Sequence, residues 1–231
     1  MLLARLLKLI KLKILIAFLF NKNYLLTAVV LAGGKSTRMG RSKALVTIKG
    51  KEMLAWIVEG LKPVVNEVIV VAKDESTKSS YQKIVPKDVK IVMDVMGLDG
   101  PLVGIYSAFL EVMSEYAYVH PIDSPVINKD VIEYLFQKAY GYDASIVRWD
   151  DGAIEPMHAV YNVRAGLAGA RWMLDHGDTS AKALTTRLQN VNYIAVDELR
   201  KFDDKLASLL NVNTPQDLDM IGSLLGGSSS Q

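Results

Sequence analysis

The chain contains no cysteine among its 231 residues. This absence excludes disulfide bonds, thiolate sites for metals and cysteine nucleophiles. It suits a reducing compartment, and we expect a cytoplasmic protein. Half of the residues are apolar, which is typical of a folded protein rather than a disordered one, and the length favours one α/β domain.

A strong excess of charge is also absent. The formal net charge is +2, and residues 1–20 hold four cations and no acid, so that subtracting those four charges leaves −2 for the remainder. A nearly neutral body is a poor match for sequence-independent nucleic-acid binding, which needs many cations on one face. We therefore expect no nucleic-acid partner.

The chain lacks an apolar run long enough to cross a membrane. Its opening, MLLARLLKLIKLKILIAFLF, is apolar and basic, and its charges break every run of the roughly 18 apolar residues that a spanning helix needs. The segment has no clean small-residue cleavage site for a signal peptide. Three interpretations remain open: a basic amphipathic helix on a membrane or partner, an added helix packed on the domain or across a dimer, and a translation start placed too far upstream.

The remaining sequence predicts one folded domain. We expect an extra segment at 1–26, a single domain at 27–225 and a flexible tail at 226–231. Within the domain, short runs rich in valine and isoleucine alternate with helical patterns. This alternation predicts an α/β protein, a three-layer α/β/α Rossmann-like domain with a mostly parallel sheet, in which ligands gather at the carboxyl ends of the strands.

Hydrophobic periodicity and helix caps locate the elements. TAVVLA, EVIVVA and VKIVMD are nearly continuous apolar runs, which predict strands buried on both faces. Further strands are predicted at YAYVHPID, DASIVRW, EPMHAVYN and VNYIAV. Helices are predicted at EMLAWIVEGLK, GPLVGIYSAFLEVM, NKDVIEYLFQKAY, 164–174, 180–188 and NVNTPQDLDMIGSLL, with Asn128 and Thr214 as N-caps.

A basic, glycine-rich stretch, LAGGKSTRMGRSKAL, follows the first predicted strand. Gly33 and Gly34 let backbone amides approach a phosphate or a base edge. The spacing does not fit a Walker A loop, because the glycine required five residues before Gly34 is replaced by Val29. Four cations within nine positions predict a polyphosphate ligand. They are Lys35, Arg38, Arg41 and Lys43.

Two aspartates end predicted strands at the same edge of the sheet. Asp94 closes VKIVMD and Asp123 closes YAYVHPID. Magnesium prefers oxygen ligands and keeps several waters, so two carboxylates beside a polyphosphate loop predict a Mg²⁺ site. The alternative is that each aspartate only caps the loop or helix that follows.

A proline-started helix lies near the same edge. Pro101 at its first position predicts a helix start whose free amides can face a ligand. Asp99 is predicted to cap this helix rather than to bind a ligand. His158 is interpreted as a core or edge residue, which is the commoner role of a lone histidine in a strand.

The stretch from Leu31 to Leu45 resembles the loop of the nucleotidyltransferases that activate sugar phosphates and cofactor precursors. It is most similar to the molybdenum cofactor guanylyltransferases, a family that joins GMP from GTP to molybdopterin. The resemblance extends over about residues 27–225 and includes GPLVG, DSP, EPMHAVY and NVNTPQDL. The matching loop positions are Leu31, Ala32, Gly33, Gly34, Ser36, Arg38, Met39, Gly40, Lys43, Ala44 and Leu45.

This resemblance implies a nucleotidyltransferase fold and a role for individual residues. The nucleotide-binding residues are expected to be Leu31, Ala32, Gly33, Gly34, Lys43, Asp94 and Asp123. The expected catalytic residues are Arg38, Lys43 and Asp123, the expected magnesium ligands are Asp94 and Asp123, and the expected acceptor contacts are Glu155 and Asn213.

The resulting hypothesis is a Mg²⁺-dependent enzyme that transfers GMP from GTP to molybdopterin and releases pyrophosphate. One alternative is cytidylyl transfer to molybdopterin, or guanylyl transfer to another phosphorylated cofactor precursor. The Gly33-Gly34 pair favours guanine, whereas Val71, Ala72 and Lys73 stand where some relatives carry asparagine near the guanine. A second alternative is a non-catalytic nucleotide or molybdopterin carrier that docks on other cofactor-assembly proteins.

Overall fold

The computed structural model describes residues 25–33, 42–95 and 97–226. Predictions for residues 1–24, for the loop at 34–41 and for the tail from 227 onward lie outside this part of the chain. Within it, no helix combines the length and the apolar character that crossing a membrane requires.

Strands and helices alternate along the described residues, as the sequence predicts. The strands are β1 (Thr27–Leu31), β2 (Thr47–Ile48), β3 (Lys51–Glu52), β4 (Glu67–Ala72), β5 (Lys90–Met93), β6 (Tyr116–Pro121), β7 (Ala144–Arg148), β8 (Ile154–Asn162) and β9 (Val191–Ala195). The helices are α1 (Met53–Leu61), α2 (Glu75–Tyr81), α3 (Pro101–Phe109), α4 (Lys129–Ala139), α5 (Val163–Asp175), α6 (Ala181–Thr185), α7 (Val196–Leu199) and α8 (Pro215–Gly226). Short 3₁₀ turns lie at Lys43–Leu45 and Ala207–Leu209.

Seven strands form one sheet in the order β5-β4-β1-β6-β8-β7-β9. Strand β8 runs antiparallel to β6 and β7, and the other neighbouring strands are parallel. Helices α1, α2, α4, α7 and α8 pack in one hydrophobic core, and α3, α5 and α6 pack in a second core. The three-layer α/β fold with a mostly parallel sheet is therefore confirmed.

The prediction that VKIVMD is buried on both faces is wrong. Strand β5 leaves Lys90 and Met93 exposed and its two central residues only partly buried. It lies at the edge of the sheet, where β4 is its one neighbour. The central strand β1, by contrast, is buried along its whole length. Position in the sheet, which a single apolar run does not reveal, determines this difference.

Two predicted helix caps are confirmed by their hydrogen bonds. The Asn128 side chain accepts from the Val131 amide at 3.1 Å, at the start of α4. The Thr214 hydroxyl accepts from the Asp217 amide at 3.2 Å, and the Asp217 carboxylate accepts in return from the Thr214 amide at 2.8 Å. This reciprocal pair satisfies amides that the first turn of α8 leaves unpaired.

Candidate active site

A cavity of about 440 Å³ opens at the carboxyl ends of β1, β4, β5 and β6. Its volume lies within the range of small-molecule sites. The structure brings five of the predicted site residues together in its wall. The lining residues are Leu31, Gly33, Lys43, Val71, Lys73, Asp94, Asp99, Gly100, Pro101, Gly104, Pro121, Ile122, Asp123 and Met157.

Lys43 connects two other predicted site residues at one end of the cavity. Its ammonium donates to Asp123 Oδ2 at 3.0 Å and to Asn213 Oδ1 at 2.8 Å. The side chains of Lys43 and Asp123 are 20% and 27% exposed. An ammonium has three donors, so Lys43 can keep both contacts and still donate to a phosphate oxygen. We call this part of the cavity the lysine end.

A network of buried polar side chains lies behind the turn that carries Asp123. His120 Nε2 lies 2.7 Å from the backbone carbonyl of Ser124, and it is the donor because a carbonyl only accepts. The Ser124 hydroxyl contacts His158 Nε2 at 3.1 Å and Asn211 Oδ1 at 2.7 Å. The Tyr118 hydroxyl lies 3.1 Å and 3.3 Å from the Nδ1 atoms of the two histidines. Ser124 thus ties this turn to β6, to β8 and to the segment before α8.

The two histidines of this network are neutral near neutral pH. Burial lowers the pKa of His120 to about 4, against smaller opposing effects of the Ser124 carbonyl and the Asp123 charge. Burial, with the charge of His120, also lowers the pKa of His158 well below its ordinary value. His158 is 4% exposed and does not line the cavity. Its place in the structure is that of a core residue, as the sequence predicts.

The segment before α8 is anchored to the same turn. The Val212 amide donates to the Asp123 carbonyl at 2.7 Å, and Asn211 accepts from Ser124. Asn213 follows directly and reaches Lys43. The predicted acceptor contact at Asn213 therefore lies beside the cavity, and its role stays a prediction.

Asp94 lies farther along the sheet edge. One carboxylate oxygen, Oδ1, is buried and has no hydrogen-bond partner among the described residues. Burial raises the pKa of Asp94 to about 6, an effect that Lys73 opposes and Asp99 reinforces. A buried carboxylate oxygen without a donor is costly, so this site suits a cation or a ligand donor.

Glycines allow two chain segments to approach Asp94. A Cβ built on Gly33 would lie 3.5 Å from Asp94 Oδ2, and one on Gly104 would lie 3.6 Å from Asp94 Oδ1. The Gly104 Cβ would also lie 3.2 Å from Leu31 Cδ2, tighter than most real contacts. Helix α3 can therefore pack this closely on β1 because residue 104 has no side chain.

The remaining predicted nucleotide and catalytic residues do not add to this described lining. Gly34 and Arg38 fall outside the described residues, and their roles stay predictions. Ala32 is buried, and its amide donates to the Val71 carbonyl at 3.1 Å.

Glu155 does not line the cavity either. Its carboxylate accepts from Trp149 Nε1 at 2.7 Å, whereas Met157, two positions further along β8, reaches the cavity. The sequence indicated Glu155 because it matches a family motif, and no local pattern signals its tryptophan partner. Its acceptor role stays a prediction.

A sequence model of the MobA-like NTP transferase domain matches residues 28–191. The chain belongs to this family. A probable molybdenum cofactor guanylyltransferase of Methanosarcina mazei is 37% identical over 202 residues, which cover 85% of this chain and 90% of that protein. One of Methanosarcina acetivorans is 36% identical over 207 residues, covering 87% and 92%. The crystal structure of molybdopterin-guanine dinucleotide biosynthesis protein A from Archaeoglobus fulgidus has a TM-score of 0.76 at 28% identity, covering 87% and 99%.

In this MobA-like domain, helix α3 begins at Pro101, as the sequence predicts, but Asp99 does not cap it. Its N-cap position is Gly100, which makes no side-chain cap, and Asp99 pairs instead with Lys73 at 2.5 Å. The Leu102 amide in the first turn donates to the Thr179 carbonyl at 3.0 Å, so this amide is not free to face a ligand. A Cβ on Gly100, whose φ is +145°, would lie 2.5 Å from the Thr179 side chain. Thr179, in the connection before α6, therefore packs against the first turn of α3 and accepts a hydrogen bond from one of its amides.

Tyr81 is a functional candidate that sequence reasoning missed. This fully buried residue donates its hydroxyl hydrogen to the Ala32 carbonyl at 2.8 Å. The Ser42 hydroxyl lies 2.9 Å from the Tyr81 hydroxyl oxygen and can donate to it. Ala32 and Ser42 both belong to the Leu31–Leu45 stretch and stand on either side of residues 34–41, so Tyr81 links the two flanks of this loop. A tyrosine in an otherwise polar helix, α2, was the one signal available.

Proposed function

We propose that this MobA-like domain transfers GMP from GTP to molybdopterin and releases pyrophosphate. The observation that carries the proposal is the lysine end, where Lys43 is held between Asp123 and Asn213 at the edge of a cavity that Asp94 also lines. The names of the Methanosarcina and Archaeoglobus relatives support the choice of GTP and molybdopterin.

The reaction requires an in-line displacement at the α-phosphorus of GTP. An oxygen of the terminal phosphate of molybdopterin forms the new bond, the bond to the β-phosphate oxygen breaks, and pyrophosphate leaves with the electron pair. Positive charge that is fixed where negative charge develops lowers the barrier to such a transfer. Lys43 supplies this charge from the lysine end, and Arg38 of the family loop is proposed to supply a second cation.

We propose Mg²⁺ as the cofactor, with the two strand-end aspartates as its carboxylate ligands. Asp94 and Asp123 offer carboxylate oxygens, including the buried Asp94 Oδ1 that has no partner among the described residues. The described residues contain no cluster of three or more potential ligands, so phosphate oxygens and waters would complete the coordination. Bound there, Mg²⁺ would offset the charge of the triphosphate.

Acceptor binding is proposed on the side of β8 and of the segment before α8. Asn213 already reaches Lys43, and it can orient an incoming phosphate while Lys43 holds the nucleotide. Met157 gives this side an apolar wall. Glu155 would need to exchange its Trp149 partner for the acceptor, so it is the weaker of the two predicted contacts.

A pyrophosphate-release assay tests the function directly. The full chain is incubated with Mg²⁺ and each of the four nucleoside triphosphates, with and without molybdopterin. We expect release with GTP that depends on molybdopterin. Release that is strongest with CTP would indicate a cytidylyltransferase. Binding of GTP without release in the presence of acceptor would indicate a carrier and overturn the proposal.

A further inference from the structure

A second charged pair lines the cavity, across the end of β1 from Asp123. Lys73 Nζ lies 2.5 Å from Asp99 Oδ1, and both residues line the cavity. Lys73 follows β4 directly, and Asp99 precedes the first turn of α3. The Asp99 side chain is 72% exposed and that of Lys73 is 30% exposed. We call this ion pair the mouth pair.

The strand order sets the distance between the two ends. Strands β4 and β6 lie on either side of β1. Neighbouring strands are about 4.8 Å apart, so the ends of β4 and β6 are separated by about 10 Å. Lys73 follows the first of these strands, and Asp123 follows the second. A nucleotide whose phosphates contact Lys43 can therefore extend across the end of β1 and present its base to the mouth pair.

The surface between the two ends suits a flat ring. Leu31 and Val71 contribute apolar side chains, and Gly33 and Gly104 contribute none. A Cβ on Gly33 would lie 3.6 Å from the Lys73 amide nitrogen, so the absence of a side chain there keeps the floor of the cavity open beside the mouth pair. Apolar walls with a few polar groups at one edge are typical of sites for heteroaromatic ligands.

The mouth pair places a donor and an acceptor side by side. Guanine presents the O6 acceptor next to two donors, N1–H and the N2 amino group. A carboxylate can accept both donors at once, and such charge-assisted, bidentate contacts are strong and specific. Adenine and cytosine offer a carboxylate one amino group, and uracil offers one ring N–H. Guanine is thus the one base of the four that offers a carboxylate two adjacent donors beside an acceptor for the lysine.

We propose that the mouth pair reads the base of the bound nucleotide, with Asp99 accepting from N1–H and the N2 amino group of guanine and Lys73 donating to O6. The inference rests on the proposed guanylyl transfer and specifies which residues determine its nucleotide. A carboxylate has about four lone-pair sites, so Asp99 can accept from the base while it remains paired with Lys73.

The test uses nucleotide analogues that change one edge group at a time. Calorimetric titrations of the full chain in Mg²⁺ compare GTP with ITP, which lacks the 2-amino group, and with XTP, which carries an oxygen there. The wild-type chain should bind GTP about tenfold or more tightly than ITP, because ITP loses one hydrogen bond to a carboxylate. The Asp99→Asn variant should lose GTP affinity by about tenfold or more and gain XTP affinity, since its amide can donate to the xanthine oxygen.

Two further variants make the test specific. Lys73→Met should weaken GTP and ITP equally, because both carry O6. Asp88→Asn is the matched control, since Asp88 is a similarly exposed aspartate that pairs with Lys62 at 2.7 Å and does not line the cavity. It should bind every analogue as the wild-type chain does.

The outcomes separate this inference from the proposed function. A wild-type chain that prefers GTP, with an Asp99→Asn variant of unchanged preference, would overturn the base-reading role and leave guanylyl transfer intact. A wild-type chain that binds GTP no better than ITP would also overturn the base-reading role and leave guanylyl transfer intact. A wild-type chain that does not bind GTP would overturn the proposed function and, with it, this inference.

Discussion

The two ends of the cavity differ in how the fold supports them. At the lysine end, Lys43 contacts Asp123 and Asn213, and a network of buried histidines, tyrosine and serine fixes the turn behind them. At the mouth pair, Lys73 and Asp99 meet at an exposed edge. The first end is anchored in the core of the sheet, and the second lies on connections after β4 and before α3.

This difference has an energetic basis. Leaving a buried polar group without its hydrogen bond costs about 1–3 kcal/mol, so the network behind Asp123 strongly favours one arrangement. An exposed ion pair contributes about 0–1 kcal/mol, so the mouth pair can rearrange or change in sequence at little cost to stability. We infer that the lysine end holds the geometry for the chemistry and that the mouth pair can vary the choice of nucleotide.

The largest expected effect is the loss of Lys43. Lys43→Ala should reduce the rate of pyrophosphate release with GTP and molybdopterin by about a hundredfold or more, because one charge aimed at the transition state is typically worth several kcal/mol. The rate should be measured at saturating substrates. The free energy of unfolding should change little, since Lys43 lies at the edge of the cavity rather than in the core.

A matched lysine supplies the control for this loss. Lys62→Ala removes a lysine that pairs with Asp88 away from the cavity and should retain the wild-type rate. If Lys43→Ala released pyrophosphate at the wild-type rate, the lysine end would not be the catalytic end of the cavity.

A smaller effect is expected when the buried network is broken. Ser124→Ala removes the hydroxyl that contacts His158 and Asn211. The turn should lose its fixed position, so kcat should fall by roughly tenfold while the KM for GTP changes less, since small displacements of catalytic groups slow chemistry strongly. Steady-state kinetics and urea unfolding together measure both consequences.

A change at another buried serine distinguishes a loss of catalytic positioning from a general loss of stability. The Ser145 hydroxyl donates to the Leu135 carbonyl at 2.7 Å in the core, far along the sheet from β1. Ser145→Ala should reduce stability by a similar amount, about 1 kcal/mol, and leave kcat unchanged. Equal losses of kcat in the two variants would mean that the network stabilises the fold without positioning Asp123.

The network also predicts how stability depends on pH. The folded chain keeps His120 and His158 neutral, because burial lowers both pKa values, that of His120 to about 4. In the unfolded chain these histidines titrate near 6.5. Between pH 6.5 and 4 these two histidines therefore bind more protons in the unfolded state than in the folded state, so their contribution lowers the free energy of unfolding as the pH falls, whereas the raised pKa of Asp94 acts in the opposite direction.

Two variants separate the contribution of the buried histidines to this pH dependence from the contributions of other titratable groups. His158→Gln should reduce the steepness of the fall between pH 6.5 and 5, as measured by urea unfolding at a series of pH values. Ser145→Ala removes a buried hydroxyl and no titratable group, so it should leave the pH dependence as it is in the wild-type chain. An unaltered slope in His158→Gln would show that this buried histidine does not supply the pH dependence.

Much of the fold could be predicted because it depends on local patterns. Alternating apolar runs locate the strands, and residues such as Asn128 and Thr214 mark helix starts through hydrogen bonds to amides three positions away. The edge position of β5 and the antiparallel direction of β8 could not be predicted, because both depend on which strands become neighbours.

The candidate site likewise contains residues that local sequence patterns reveal and contacts that such patterns do not reveal. The glycine turn, Lys43 and the two strand-end aspartates carry sequence patterns of their own. The contacts of Ser124 with Asn211 and of Tyr81 with Ala32 span 87 and 49 positions. Such pairs become visible only when the strands are assembled, and the same holds for Lys73 with Asp99, which led sequence reasoning to assign Asp99 to a helix cap.

The smallest expected effect is that of a change at Tyr81, a residue whose helix follows Lys73 and whose hydroxyl contacts the segment that carries Lys43. Its helix, α2, starts two residues after Lys73, and its hydroxyl contacts Ala32 and Ser42 on the flanks of the family loop. Tyr81→Phe should reduce stability by about 1 kcal/mol and raise the KM for GTP by a few fold, with kcat nearly unchanged. Steady-state kinetics at varied GTP concentration measure this split.

Tyr116→Phe provides the comparison for Tyr81→Phe. The Tyr116 hydroxyl accepts from the Gly141 amide at 3.1 Å, so this variant also loses one hydrogen bond, at a residue that does not line the cavity. It should lower stability similarly without changing KM. If both variants bound GTP like the wild-type chain, the loop flanks would be fixed independently of Tyr81, and the two ends of the cavity would have to be positioned by their own strands alone.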